Sequence, residues 1–271
     1  MISLRSAATA ALSVLVATAS IGGVAPPADA AVAIAPHRAS YKLSLAGSRN
    51  GSPIAGVSGN MTFAWGDACD GWTTEQRFQM RFSYAQGEES EVITSYTTWE
   101  AKDGGRYRFV VRKQTNGQMD EELKGDATLD GDKGGKVVFT KPKEATVDLP
   151  AGTMFPSAHT EALLDMAGKG EPFFARPVFD GSEIEGATTV TAVLGRKAAA
   201  PELPAAELRT PDAWNVTLAF YPKDEQEAMA DYETGLVLLT NGVVQSMLID
   251  YGDFKVNAEL EKIEAMPKGP C

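Results

Sequence analysis

The chain has 271 residues, of which 44% are hydrophobic and 8% aromatic, and its formal net charge is -11. That acid surplus argues against nucleic acid as a partner, because phosphate binding needs a concentrated basic face. With two histidines and two cysteines in the whole chain, a dedicated zinc site is also a poor expectation.

The N-terminus reads as a cleavable secretory signal peptide over residues 1–30. Arg5 precedes an apolar run from Ala7 to Val24, followed by Pro26-Pro27 and Ala28-Asp29-Ala30. This is the charged, apolar and small-residue order of such leaders. The run is rich in Ala, Ser, Thr and Gly, too weakly hydrophobic for a permanent anchor. No cysteine lies near the cleavage site to accept a lipid, the first being Cys69. Arg5 and Asp29 cancel, so the mature chain keeps the charge of -11. Residues 31–271 are expected to form a single domain with no further membrane span.

From Tyr41 onward the apolar pattern has a period of two, as half-buried antiparallel strands require. Met61, Phe63 and Trp65 alternate with polar or small residues, and so do Phe78, Met80, Phe82 and Tyr84. The same holds for Tyr107, Phe109 and Val111, for Trp214, Val216, Leu218 and Phe220, for Met247, Ile249 and Tyr251, and for Val256, Ala258 and Leu260. Asn-Gly at residues 50, 116 and 241 and Asp-Gly at 70, 103, 130 and 180 supply tight hairpin turns between them. The expected fold class is therefore mostly all-β. A flat sheet of this size would expose a long edge, so a strongly curved antiparallel sheet is expected. One segment departs from this pattern. Pro156 to Ala167 has helical spacing and is stopped by Gly168-Lys169-Gly170, predicting one short helix on or inside the sheet. Arg196 to Ala213, with Pro201, Pro204 and Pro211, reads as an exposed loop.

Cys69 and Cys271 in an exported chain pair by default. The bond would close about 200 residues, and chain entropy alone sets an upper estimate of roughly 5 kcal/mol for it. A nucleophilic role for Cys69 is disfavoured by its neighbours Asp67 and Asp70, which would raise a thiol pKa.

Several further motifs occur together. A strand opens at His37-Arg38-Ala39-Ser40-Tyr41, and Cys69 sits between Trp65 and Trp72. Leu149-Pro150-Ala151-Gly152-Thr153-Met154-Phe155-Pro156-Ser157-Ala158-His159 follows, then Asn241-Gly242-Val243, Asp250-Tyr251-Gly252-Asp253-Phe254 and a terminal Cys271. In combination they resemble the EipB family of cell-envelope integrity proteins over nearly the whole mature chain. The resemblance implies a periplasmic protein of Gram-negative α-proteobacteria. It further implies a long antiparallel β-spiral like an open barrel, a disulfide between the matching cysteines, and an envelope role without an established enzymatic activity. The spiral looks like the half-barrels that carry lipids and lipoproteins across the periplasm.

Candidate chemistry is sparse. His159 lacks a nucleophile context and reads as a residue that orders the Phe155-Pro156 turn. Asp250 and Asp253 could pose as the carboxylate pair of a glycan hydrolase, but they flank a glycine, as solvated turn residues do. No catalytic residue, metal ligand or cofactor site is assigned. Arg77, Arg81, Arg106, Arg108, Trp99 and Trp214 are the candidate ligand-binding residues. The arginines suit an anionic headgroup or glycan, set against cross-strand pairing with the many nearby glutamates. The tryptophans belong to apolar faces that either fill a core or line a groove. The function expected is a monomeric, non-enzymatic envelope factor that binds envelope components (lipid or glycan) or periplasmic proteins. A lipid or lipoprotein carrier is the alternative, and a cell-wall glycan hydrolase a third.

Overall fold

The computed structural model describes residues 33–221, 229–269 and 271; the signal peptide expected over 1–30 lies outside them. Fourteen strands form one antiparallel sheet. The first eight are β1 (His37–Ser48), β2 (Ile54–Asp67), β3 (Gly71–Tyr84), β4 (Glu89–Ala101), β5 (Arg106–Thr115), β6 (Gln118–Leu129), β7 (Gly135–Lys141) and β8 (Ala145–Leu149). Among the described residues a single α-helix, α1 (Pro156–Lys169), leads into β9 (Phe173–Val178), β10 (Thr188–Ala199), β11 (Asp212–Tyr221), β12 (Tyr232–Leu239), β13 (Val244–Asp250) and β14 (Phe254–Ala265). The strand order is β8-β7-β6-β5-β4-β3-β2-β1-β14-β13-β12-β11-β10-β9. Two meanders thus meet where the first strand pairs with the last, and β8 and β9 are the edges.

The sheet curls strongly without closing. Three strand spacings separate β3 from β14, about 14 Å if flat, yet the rings of Phe82 and Phe254 lie 6.0 Å apart. The expected alternation sets which face turns inward. Tyr41 is opposite Met61, Met61 opposite Phe78, and Tyr107 opposite Ala127, so these side chains share one face. Three clusters fill parts of it. One gathers Tyr41, Leu43, Met61 and Val256 around the β1–β14 junction. A second sets the helix residues Leu163 and Leu164 against Trp65, Trp72 and Trp214. A third joins Phe109, Phe139 and Phe155 with Phe179 from the β9–β10 loop.

Turn chemistry follows the sequence at Asn116-Gly117, where φ is 52° and 80°, the pair of left-handed residues a two-residue hairpin needs. At Asp70-Gly71 it does not. Cys69 takes the positive φ of 65°, and Gly71 is instead required because the Trp99 ring and the Glu100 carbonyl leave no room for a Cβ. The region 196–213 also corrects the expectation of an exposed loop. β10 extends to Ala199, and Leu203 and Leu208, 1% and 2% exposed, fold back into the first cluster. The expected disulfide joins Cys69 to Cys271, with 5.6 Å between the Cα atoms.

Candidate ligand-binding groove

Helix α1 closes one part of the curled sheet. Its N-cap is Phe155, which has no side-chain oxygen, so the cap comes from elsewhere. Glu100 on β4, 2% exposed, accepts 2.7 Å hydrogen bonds from the backbone N–H groups of Ser157 and Ala158, satisfying donors the helix cannot use itself. Burial raises the Glu100 carboxyl to about 7, although both amides favour its charged form. On the next turn Glu161 accepts from Trp72 Nε1 at 3.0 Å, and burial raises that carboxyl too. On its other side the helix stacks His159 on Phe174 of β9 at 5.3 Å. Burial, with help from Arg176, lowers the His159 imidazole to about 4, so it is neutral at pH 7. The helix therefore clips β4 to β9 across the inside of the sheet. Its last residue is Lys169, with Gly170 left-handed beyond it, so Gly168 lies within the helix instead of stopping it.

Away from the helix the inner face is only partly covered, its side chains packing on the core clusters from one side. Tyr96 stands opposite buried Val111, and Leu236 opposite buried Val216, so both point the same way as the core. Yet both are only half-buried, as are their inward neighbours Phe78, Met80, Phe82, Val92 and Thr94 on β3 and β4. Leu218, Phe220, Tyr232, Met247 and Phe254 across the fold are in the same state. Inward apolar side chains that stay half-wet over this many strands define a groove.

Aromatic rings line one end of it. Phe220 stacks on Tyr232 at 4.2 Å, Tyr232 lies 6.1 Å from Tyr251, and Tyr251 stacks on Phe254 at 5.0 Å. Tyr96 faces this row from β4. Burial first, then Asp180 and the neighbouring tyrosines, raise the phenols of Tyr96 and Tyr232 well above their ordinary value. Six strand spacings separate β4 from β12, about 29 Å if the sheet were flat, so this coupling is itself a product of the curl. Asp180 sits in the β9–β10 loop, where Tyr107 donates its hydroxyl to the Asp180 carbonyl at 3.0 Å and Ser182 donates to its side chain.

The candidates taken from the sequence fall elsewhere. Arg77, Arg81, Arg106 and Arg108 occupy the outer register and are exposed. Arg81 pairs with Glu91 at 3.7 Å and Arg108 with Asp126 at 3.4 Å. Trp99 is also outward, with Arg108 5.0 Å above its ring. Trp214 is inward and buried in the helix cluster, and it also lines an open cleft of about 590 Å³ at the helix C-terminus. Asp250 is held by Lys255 at 2.7 Å and caps Gly252 N–H, as a turn residue. The described residues contain no group of three or more His, Cys, Asp or Glu arranged to hold a metal.

Fold and groove together define a class: an open antiparallel β-spiral, clipped inside by one helix and stapled at its C-terminus by a disulfide. The chain belongs to the EipB-like family, whose pattern it matches over residues 28–267. It is 34% identical over 271 residues to the cell envelope integrity protein EipB of Brucella abortus, covering 98% of this chain and 96% of that protein. A crystal structure of a β-barrel-like protein of unknown function, also from Brucella abortus, superposes with a TM-score of 0.81 at 34% identity, covering 88% of this chain and all of that one. Kinship with an envelope integrity protein supports an envelope role. The disulfide fits an exported protein. No helix among the described residues is long and apolar enough to cross a membrane.

Proposed function

We propose that the protein works in the periplasm as a non-catalytic envelope factor that holds an amphiphilic envelope component, its apolar part lying along the groove. The observation that carries this reading is the half-exposed inner register. Phe78, Met80, Val92, Leu236 and Met247 face the same way as fully buried neighbours and yet remain accessible. The interior of a filled sheet would bury them. A non-catalytic role is supported by the engagement of the candidate acid–base groups, since Glu100 caps a helix, Asp250 is ion-paired and His159 stacks in an apolar site. The test is native mass spectrometry with solvent extraction on protein purified gently from the periplasm. A lipid-like adduct is expected, and it should be lost from Thr94→Trp, which fills the groove. An adduct-free mass, together with no uptake of an added amphiphile, refutes the reading.

A further inference from the structure

We propose that the head of the bound amphiphile carries an organic cation, held against Tyr96, Tyr232 and Tyr251. This rests on the groove reading above and adds the chemistry of the head. The row from Phe220 through Tyr232 and Tyr251 to Phe254 continues to Phe82, 6.0 Å from Phe254. Its rings are half-exposed, and Tyr251 is 37% accessible. Accessible ring faces attract cations through their quadrupole, most strongly where water is partly excluded.

Charge at this end has the matching sign. Asp180 and Glu183 lie on the β9–β10 loop facing the tyrosines, and Asp231 immediately precedes Tyr232. None of the three carboxylates has a salt bridge among the described residues. Glu121, opposite Lys113 in the strand register, adds to the same negative field at Tyr96 and Glu183. An anionic head would be repelled by these carboxylates and a neutral sugar would gain nothing from them, whereas a cation would be attracted. The apolar stretch of Phe78, Met80, Leu236 and Met247 is where the tail lies.

The experiment is isothermal titration of the full mature protein with three amphiphiles of equal tail, each below its micelle concentration: dodecyltrimethylammonium, dodecyl maltoside and dodecyl sulfate. Tetramethylammonium serves as the head alone. The expected result is one-to-one binding of dodecyltrimethylammonium, on the order of tenfold tighter than dodecyl maltoside, with dodecyl sulfate weakest. Glu183→Gln and Tyr232→Leu should each remove most of that advantage while still binding the maltoside. Equal affinity for all three heads overturns the cation and leaves the groove reading standing. Binding of tetramethylammonium as tight as that of its dodecyl form overturns the amphiphile in favour of a free cation. Uptake of none of them overturns both proposals.

Discussion

Glu100→Gln tests whether a buried carboxylate really holds the helix. The two states differ in where Glu100 titrates, at 4.5 ordinarily and at about 7 in the folded protein. Below both values the group is protonated in both states and its burial costs no charge. Above both it is ionised in both, and the cost of burying the charge is fully felt. Stability from this group therefore falls as pH rises from 4.5 to 7, by about 3 kcal/mol at roughly 1.4 kcal/mol for each pH unit between the two values. His159 acts oppositely. Its value drops from 6.5 to about 4 on folding, so it adds stability as pH rises over nearly the same window. The contributions of these two groups thus nearly cancel, and subtracting the Gln variant isolates Glu100. Glutamine keeps one acceptor for two N–H groups, a constant loss of about 1–2 kcal/mol. Urea unfolding followed by tryptophan fluorescence at pH 4.5 and 7.5 reads the difference. The variant should gain about 3 kcal/mol on wild type between the two pH values. A difference that stays parallel at both would mean that Glu100 titrates normally and that burial does not dominate.

Replacing both Cys69 and Cys271 with Ser should lower the melting temperature under non-reducing conditions, by at most about 5 kcal/mol at roughly 2–4 °C per kcal/mol for a chain of this size; an unchanged value sinks a stabilising role. Phe109→Ala removes a buried ring 5.4 Å from Phe179 and 5.6 Å from Phe139, and should cost about 3–5 kcal/mol in denaturant. Two glycine variants form a matched pair, since Gly117 and Gly181 have φ of 80° and 82°. Gly117→Ala has open space for its Cβ and should cost only about 1–2 kcal/mol of left-handed strain. Gly181→Ala also drives its Cβ into the Phe109 ring, so it should cost about 1–3 kcal/mol more.

The strands were readable because each buries one face, so Tyr107, Phe109 and Val111 announce both a strand and its inward side. Trp99 misleads for the same reason. It sits among Thr94, Tyr96 and Thr98, whose polarity hides that the even positions face inward. Leu203 and Leu208 are single apolar residues in a Pro-rich stretch, and no period marks their return to the core. The true cap of α1 was invisible because Glu100 lies 57 residues from Ser157, a contact only the curl creates. The groove was legible as an apolar face but not as an accessible one. Accessibility depends on how far the sheet curls and where the helix lies, and a half-exposed Phe78 is spelled like a buried one. The arginines lie on the outer face, and alternation alone does not say which face of a strand meets a ligand.

Pairing of β1 with β14 aligns His37 with Ala265 at the centre of the sheet. It is the one pairing between strands distant in the chain, whereas the other neighbours in the described sheet are consecutive strands, so each meander can pair from local hairpins. The seam is the step that closes the longest loop in the sheet and carries the largest entropic cost of its pairings. Loss of either β1 or β14 would split the sheet into two separate meanders, so one curled surface depends on both of these strands.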